Sequence, residues 1–147
     1  MFREQYSAEE WATLEFAPLW TFTGVAGIDQ SIDELEIGAL AKELAEWALY
    51  KEPLVQELLL SVGQNLPETM TRYRDDPRDV LTGLKDVSAL LNRKATGDQA
   101  KGFRGAMMVI GKNIAEASGS GIAGTDSNAS IEEKAAMLAL GQALGAF

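Results

Sequence analysis

The chain contains no cysteine and no histidine, and these two absences close off more chemistry than any residue present opens. Without thiolate or imidazole there is no disulfide scaffold, no zinc-thiolate centre, no cysteine nucleophile and no histidine base, which removes most hydrolase triads. Carboxylate, hydroxyl, lysine and tyrosine remain for catalysis. For metals, the remaining donors suit only hard, oxygen-seeking cations such as Ca²⁺ or Mg²⁺. Prolines number only four, and runs that alternate Val, Ile or Thr with polar residues are scarce, so β-structure has little support. No apolar stretch approaches the roughly 18 residues of a membrane span, and the first residues lack the apolar core of a targeting peptide. No transmembrane segment and a cytoplasmic location are therefore expected.

What is present is enough to fold. A chain of 147 residues, 46% of them hydrophobic, is expected to form one domain that buries roughly two thirds of its unfolded surface. Signals for helix starts and stops recur along its whole length, and the predicted class is an all-α, compact multi-helix bundle of six or seven helices. Ser7 with Glu10 forms a capping box that opens a helix carrying Trp11, Leu14, Leu19 and Phe22, with a kink or break expected near Ala17 because Pro18 lacks an amide hydrogen. Asp33 with Glu36 opens a second helix to about Lys51, whose apolar face is Ile37, Leu40, Ala41, Leu44, Trp47 and Ala48. Pro53 suits a first helical position, and that helix stops near Gly63-Gln64-Asn65. A short turn or helix is expected around Pro67 to Tyr73. Asp76-Pro77 is expected to start a helix with Val80, Leu81, Leu84, Val87, Leu90 and Leu91 inward, ending at Thr96-Gly97. Asp98 is the expected cap of the next, along which Phe103, Met107, Ile110 and Ile114 recur at helical spacing. Ser130 with Glu133 opens the last, with Met137, Leu140 and Leu144 inward. Trp11, Trp20, Trp47 and Phe22 are expected to cluster in the core.

The net charge of −9 is unevenly spread. Residues 1–68 carry 13 acids against three bases, whereas residues 69–112 carry nine bases against five acids. A basic face drawn from Arg72, Arg74, Arg78, Arg93, Lys94, Lys101 and Arg104, together with Lys85 and Lys112, can attract an acidic protein partner or a second copy of the chain, while the overall negative charge disfavours nucleic acid. The competing reading is that these are solvated helix residues paired with Asp75, Asp76, Asp79 and Asp86.

Thirteen residues appear twice. The segment from Gly24 to Glu36 and the segment from Gly121 to Glu133, 97 positions later, share two glycines, an alanine, an aspartate and the final glutamate. Each runs from a glycine loop into an amphipathic helix, the pattern of a duplicated unit. The implied organisation is one domain over 1–147, with repeats at about 7–51 and 98–147 joined by an apolar helical segment at 53–96. In each loop an aspartate and a glutamate stand seven apart, Asp29 with Glu36 and Asp126 with Glu133, as do positions 5 and 12 of an EF-hand. The earlier ligand positions are occupied by Val25 and Gly27 or by Ile122 and Gly124, so neither loop is an EF-hand. Asp29, Asp33, Glu36, Asp126 and Glu133 still offer oxygens beside helix starts, and they form the candidate divalent-cation set. Amide capping accounts for Asp33, Glu36 and Glu133 without any metal. Phosphate binding lacks the Gly-x-x-x-x-Gly-Lys pattern, and the neighbouring acids oppose it. Adjacent carboxylates such as Glu9 and Glu10 diverge by about 100° on a helix, which disfavours a paired-acid enzyme.

The run from Ala26 to Glu36, of the form Ala-Gly-x-Asp-x-x-Ile-Asp-x-x-Glu, together with the later Asp126 to Glu133 stretch, resembles the TerB-like family of tellurite-resistance proteins. That resemblance implies a helical bundle built by duplication, a bacterial and cytoplasmic setting, a link to stress or tellurite resistance, acidic loop residues in contact with a metal, and no enzymatic activity. Gln30 and Ser127 stand where that family usually has glycine. Two functions follow as expectations: a non-enzymatic domain acting through protein association, or a divalent-cation-binding or sensing module.

Overall fold

The Ser7–Glu10 capping box forms as its spacing predicts. The Ser7 amide donates to Glu10 Oε1 at 2.7 Å and the Glu10 amide donates to Ser7 Oγ at 3.1 Å, so two amides that a helix start leaves orphaned are satisfied reciprocally. The structure, a computed structural model, describes residues 1–26, 34–119 and 131–147, without the side chains of 34–36, 117–119 and 132–133. The helices are α1 (Ala8–Ala26), α2 (Glu34–Ala45), α3 (Pro53–Gln64), α4 (Leu66–Asp75), α5 (Val80–Lys94), α6 (Gly97–Gly119) and α7 (Ile131–Leu144), with 3-10 turns at Phe2–Gln5 and Trp47–Leu49. Among the described residues there is no strand, and the all-α class holds.

Helix α1 is the axis of the bundle. It packs against α3, α4, α5, α6 and α7, and it is buried on nearly every side, from Trp11 through Leu14, Phe16, Leu19, Trp20 and Phe22 to Val25. A helix apolar all round belongs inside rather than on a surface. This position explains why Pro18 does not break it: α1 runs unbroken from Ala8 to Ala26. A proline in a helix interior costs about 3 kcal/mol, whereas burying one large apolar side chain is worth about 1.5–3 kcal/mol, and α1 buries many.

Several boundaries depart from the sequence expectation, each for a local reason. Helix α2 stops at Ala45, short of Lys51, and gives way to the Trp47–Leu49 turn. Glu52 then takes an extended conformation before Pro53, as the residue preceding proline prefers, and its carboxylate accepts the Leu54 amide at 2.8 Å to cap α3. The inward face of α2 is also rotated. Leu40 and Leu44 are buried as expected, but Ala41 and Ala48 are exposed and Glu43 is buried in their stead, accepting a hydrogen bond from Asn113 Nδ2 at 2.9 Å. Burial raises the Glu43 carboxyl above its ordinary value, only partly countered by the Asn113 hydrogen bond.

Asp76-Pro77 does not begin α5. The Asp76 carboxylate accepts the Arg78 amide at 2.9 Å in a local turn, and Asp79 caps the helix by accepting the Thr82 amide at 2.8 Å. Likewise the cap of α6 is Thr96, not Asp98: Thr96 and Gln99 exchange side-chain bonds with each other's amides at 2.9 and 3.1 Å. The Pro67 to Tyr73 region is a full helix, α4, with Thr69 and Met70 buried.

One continuous core joins apolar side chains from all seven helices. The two helix-loop-helix units occur in the order that the repeat implies, but they are packed differently. Helices α6 and α7 lie on each other, whereas α2 packs on α3 and α6 with no comparable interface to α1. Matched halves are therefore not established by the packing.

Candidate functional site

The sequence offers two sets of candidate residues, one acidic and one basic. Asp29, Asp33 and Asp126 lie outside the described residues, and Glu36 and Glu133 belong to the first turns of α2 and α7 with their side chains likewise outside. Geometry is available for the basic set, and it divides that set in two.

Along the seam of α1 with α4 and α5, bases meet acids both from α1 and from their own stretch of the chain. Glu10 receives Lys94 Nζ at 2.7 Å on Oε1 and Arg93 Nη2 at 2.9 Å on Oε2. The carboxylate that caps α1 thus also pins the last turn of α5, where cations are favoured by the helix dipole. Those bonds, led by Lys94 and followed by the Ser7 amide and Arg93, hold the Glu10 carboxyl down at about 2. One helical turn on, the buried Glu15 accepts from Arg72 Nη2 at 3.1 Å and from Ser61 Oγ at 2.9 Å. Arg78 grips Asp76 through a two-pronged contact at 3.0 and 2.9 Å, reaches Asp86 at 3.1 Å, and lies 4.9 Å over the Trp20 ring. The Arg78 guanidinium in turn lowers the Asp76 carboxyl.

The charge pairs of this seam are accompanied by close backbone packing. A Cβ placed on Gly83 would stand 2.3 Å from the buried Trp20 indole, so α5 approaches α1 closely only because that position is glycine.

The other division of the basic set lines a groove. Between the end of α5, the start of α6 and the turn after α7 lies a groove of about 610 Å³ whose floor includes Leu91, Ala95, Ala100 and Met108, with Lys101 and Arg104 contributing its charge. Arg104 is positioned by neutral oxygens alone. Its Nε donates to the Leu144 carbonyl at 2.6 Å, and its Nη2 donates to Ser88 Oγ at 3.0 Å and Asn92 Oδ1 at 2.9 Å. The Leu144 carbonyl is one that the end of α7 leaves unused, since the chain reverses there through Gly145 at φ +73°, with the Ala146 amide bonding the Gly141 carbonyl at 2.8 Å and the Gly145 amide bonding the Gln142 carbonyl at 3.1 Å. Left-handed backbone at that point requires glycine, and the turn sets one wall of the groove.

Neither Lys101 nor Arg104 has a carboxylate in ion-pair reach among the described residues, and the same is true of exposed Arg74. Of the seven bases singled out in the sequence, Arg72, Arg78, Arg93 and Lys94 are neutralised within the fold, and Arg74, Lys101 and Arg104 are not. Only Lys101 and Arg104 line the groove, beside exposed apolar surface. The sequence reading missed Glu10 and Glu15 as internal counter-ions, and Ser88 and Asn92 as the residues that aim Arg104. The Ser7–Glu10 capping box and the adjacent pair of Glu9 and Glu10 drew attention to Glu10, but neither pointed to Arg93 or Lys94.

Comparison of the chain with protein-family models, with curated proteins and with solved structures finds no match. Among the described residues, no helix is long and apolar enough to cross a membrane.

Proposed function

We propose that the chain is a non-enzymatic, TerB-like helical domain that acts by association, binding an acidic protein partner or a second copy of itself. The observation that supports this most is the uneven fate of the positive charge. A fold that pairs four of its candidate bases internally leaves Lys101 and Arg104 without counter-ions beside apolar surface among the described residues, and such a combination attracts an acidic segment at close range even though the chain as a whole is anionic. Stress or tellurite resistance in a bacterial cytoplasm is the setting that the resemblance supplies.

Association of this kind responds to salt. Light scattering for self-association, and pull-down for a partner, are expected to weaken severalfold as ionic strength rises from about 25 mM to about 500 mM, where the screening length falls from roughly 20 Å to under 5 Å. Indifference to salt in both measurements contradicts the proposal. The divalent-cation reading keeps its own test: calorimetry with Ca²⁺, Mg²⁺ and Mn²⁺ on the chain and on an Asp29→Ala, Asp126→Ala double variant, where equal heats remove it.

A further inference from the structure

We infer that the groove between α5, α6 and the turn after α7 is the docking site, and that its occupant is a short peptide segment of a partner protein that presents a carboxylate side chain next to a large apolar one. The inference rests on the association reading above and names the site and the chemistry of that partner.

Three features point to such an occupant. The first is charge complementarity. Arg104 spends Nε and Nη2 on neutral acceptors, while Nη1 has no acceptor among the described residues. A guanidinium already fixed along one edge pays little further ordering entropy to grip a carboxylate along another. Lys101, one turn earlier on α6, adds an exposed ammonium without an ion pair, and the start of α6 adds the positive end of a helix dipole. The second feature is the apolar floor, which gives a Leu or Phe side chain a place to leave water. Met108 suits this role because its unbranched thioether adapts to differing shapes. The third feature is the form of the groove. It is open to solvent, and Phe147, which lines it, is 74% exposed. A small free acid is held by a site that encloses most of its surface, whereas a partner segment brings its own cover and leaves part of itself outside. Aromatic and arginine side chains are enriched at such contacts, and the groove offers Phe147 and Arg104.

The test is an NMR titration of the intact chain, read at the Arg104 Nε–H and at the Met108 methyl. The probes are the blocked tetrapeptide Glu-Leu-Phe-Glu, its Gln-Leu-Phe-Gln and Lys-Leu-Phe-Lys counterparts, and hexanoate. The acidic peptide is expected to shift both signals saturably at millimolar concentration, the Gln peptide to bind about tenfold more weakly, and the Lys peptide to leave them unmoved. Lys101→Glu, at an exposed position that the fold does not use, is expected to weaken the acidic peptide about fivefold without altering the remaining spectrum. Arg104→Gln is expected to abolish the preference for Glu over Gln, and the dispersion of its spectrum reports whether the chain is still folded. No shift at either signal, or equal binding of the Glu and Gln peptides, overturns the inference. Hexanoate binding as tightly as the acidic peptide overturns the choice of a peptide occupant. Salt-sensitive association that survives both substitutions overturns the site while leaving the association reading intact. Peptide binding with no macromolecular association overturns the broader reading instead.

Discussion

The seam between α1, α4 and α5 and the groove beside α6 draw on the same basic third of the sequence and use it in opposite ways. In the seam Arg72, Arg78, Arg93 and Lys94 each have a carboxylate within 3.1 Å. In the groove, Lys101 and Arg104 have none among the described residues. A run of bases in a sequence is thus a poor map of a surface, because the acids that cancel it come both from within the run, as Asp76 and Asp86 do for Arg78, and from elsewhere in the chain, as Glu10 and Glu15 do. What remains after cancellation, rather than the total, is the part available to a partner.

The comparison can be broken most severely at the seam's narrowest point. Gly83→Ala drives a methyl group into the Trp20 ring, which is buried and has nowhere to move. The expected loss is about 3 kcal/mol, at the upper end of overpacking costs, read as a fall in the midpoint of urea unfolding. A loss below about 1 kcal/mol means that α5 can retreat from α1 and that the seam is not tightly set. Next in size is Glu15→Ala, which strips the acceptor from Ser61 and Arg72 inside the bundle. A cost of about 2 kcal/mol by the same measurement is expected, since Ser61 loses its bond in a partly buried setting while Arg72 can turn to water.

A subtler change sharpens the comparison through pH. The folded Glu10 carboxyl sits at about 2 against an ordinary value of 4.5. Its contribution to stability is therefore complete above about pH 4.5 and drains away as pH falls toward 2, where the folded group takes up its proton. Thermal melts over that window are expected to slope downward, and Glu10→Gln is expected to flatten part of the slope while leaving the helix start recognisable through Ser7. An identical slope in the variant shows that Glu10 does not hold α5. Glu43 works in the other direction: its raised carboxyl disfavours the folded state once ionised, so Glu43→Gln is expected to cost nothing at neutral pH or to stabilise slightly.

Local signals in the sequence were legible and long-range ones were not. The Ser7–Glu10 box, the inward stripe of α6, that of α5 apart from Leu81, which is exposed, Pro53 at a helix start and the end of α3 at Gln64 each depend on residues within four or five positions of one another, and each appears in the structure. Pro18 leaves α1 unbroken because its local penalty is outweighed by burial that only tertiary packing reveals. The α5 and α6 caps were misplaced because Asp76, Asp79, Thr96 and Asp98 all carry capping side chains, and the choice among them depends on which neighbour accepts which amide. Glu10 meets Lys94 across 84 residues and Glu15 meets Arg72 across 57, separations that leave no periodic trace. The groove was invisible for the same reason, since it exists only where the turn at Gly145 is carried back to Ser88 and Arg104. The repeated acidic loops, the most conspicuous pattern in the sequence, fall on residues outside those described.

Lysine acetylation followed by mass spectrometry tests the division of charge most directly. A limiting dose of acetylating reagent near pH 8 competes the amines of the folded chain against one another, and Lys94, held by Glu10 and the Gln5 carbonyl, is expected to react severalfold more slowly than Lys101. Glu10→Gln is expected to bring the two rates together. Equal rates in the unaltered chain would contradict the account, because positive charge would then be as available at the seam as in the groove.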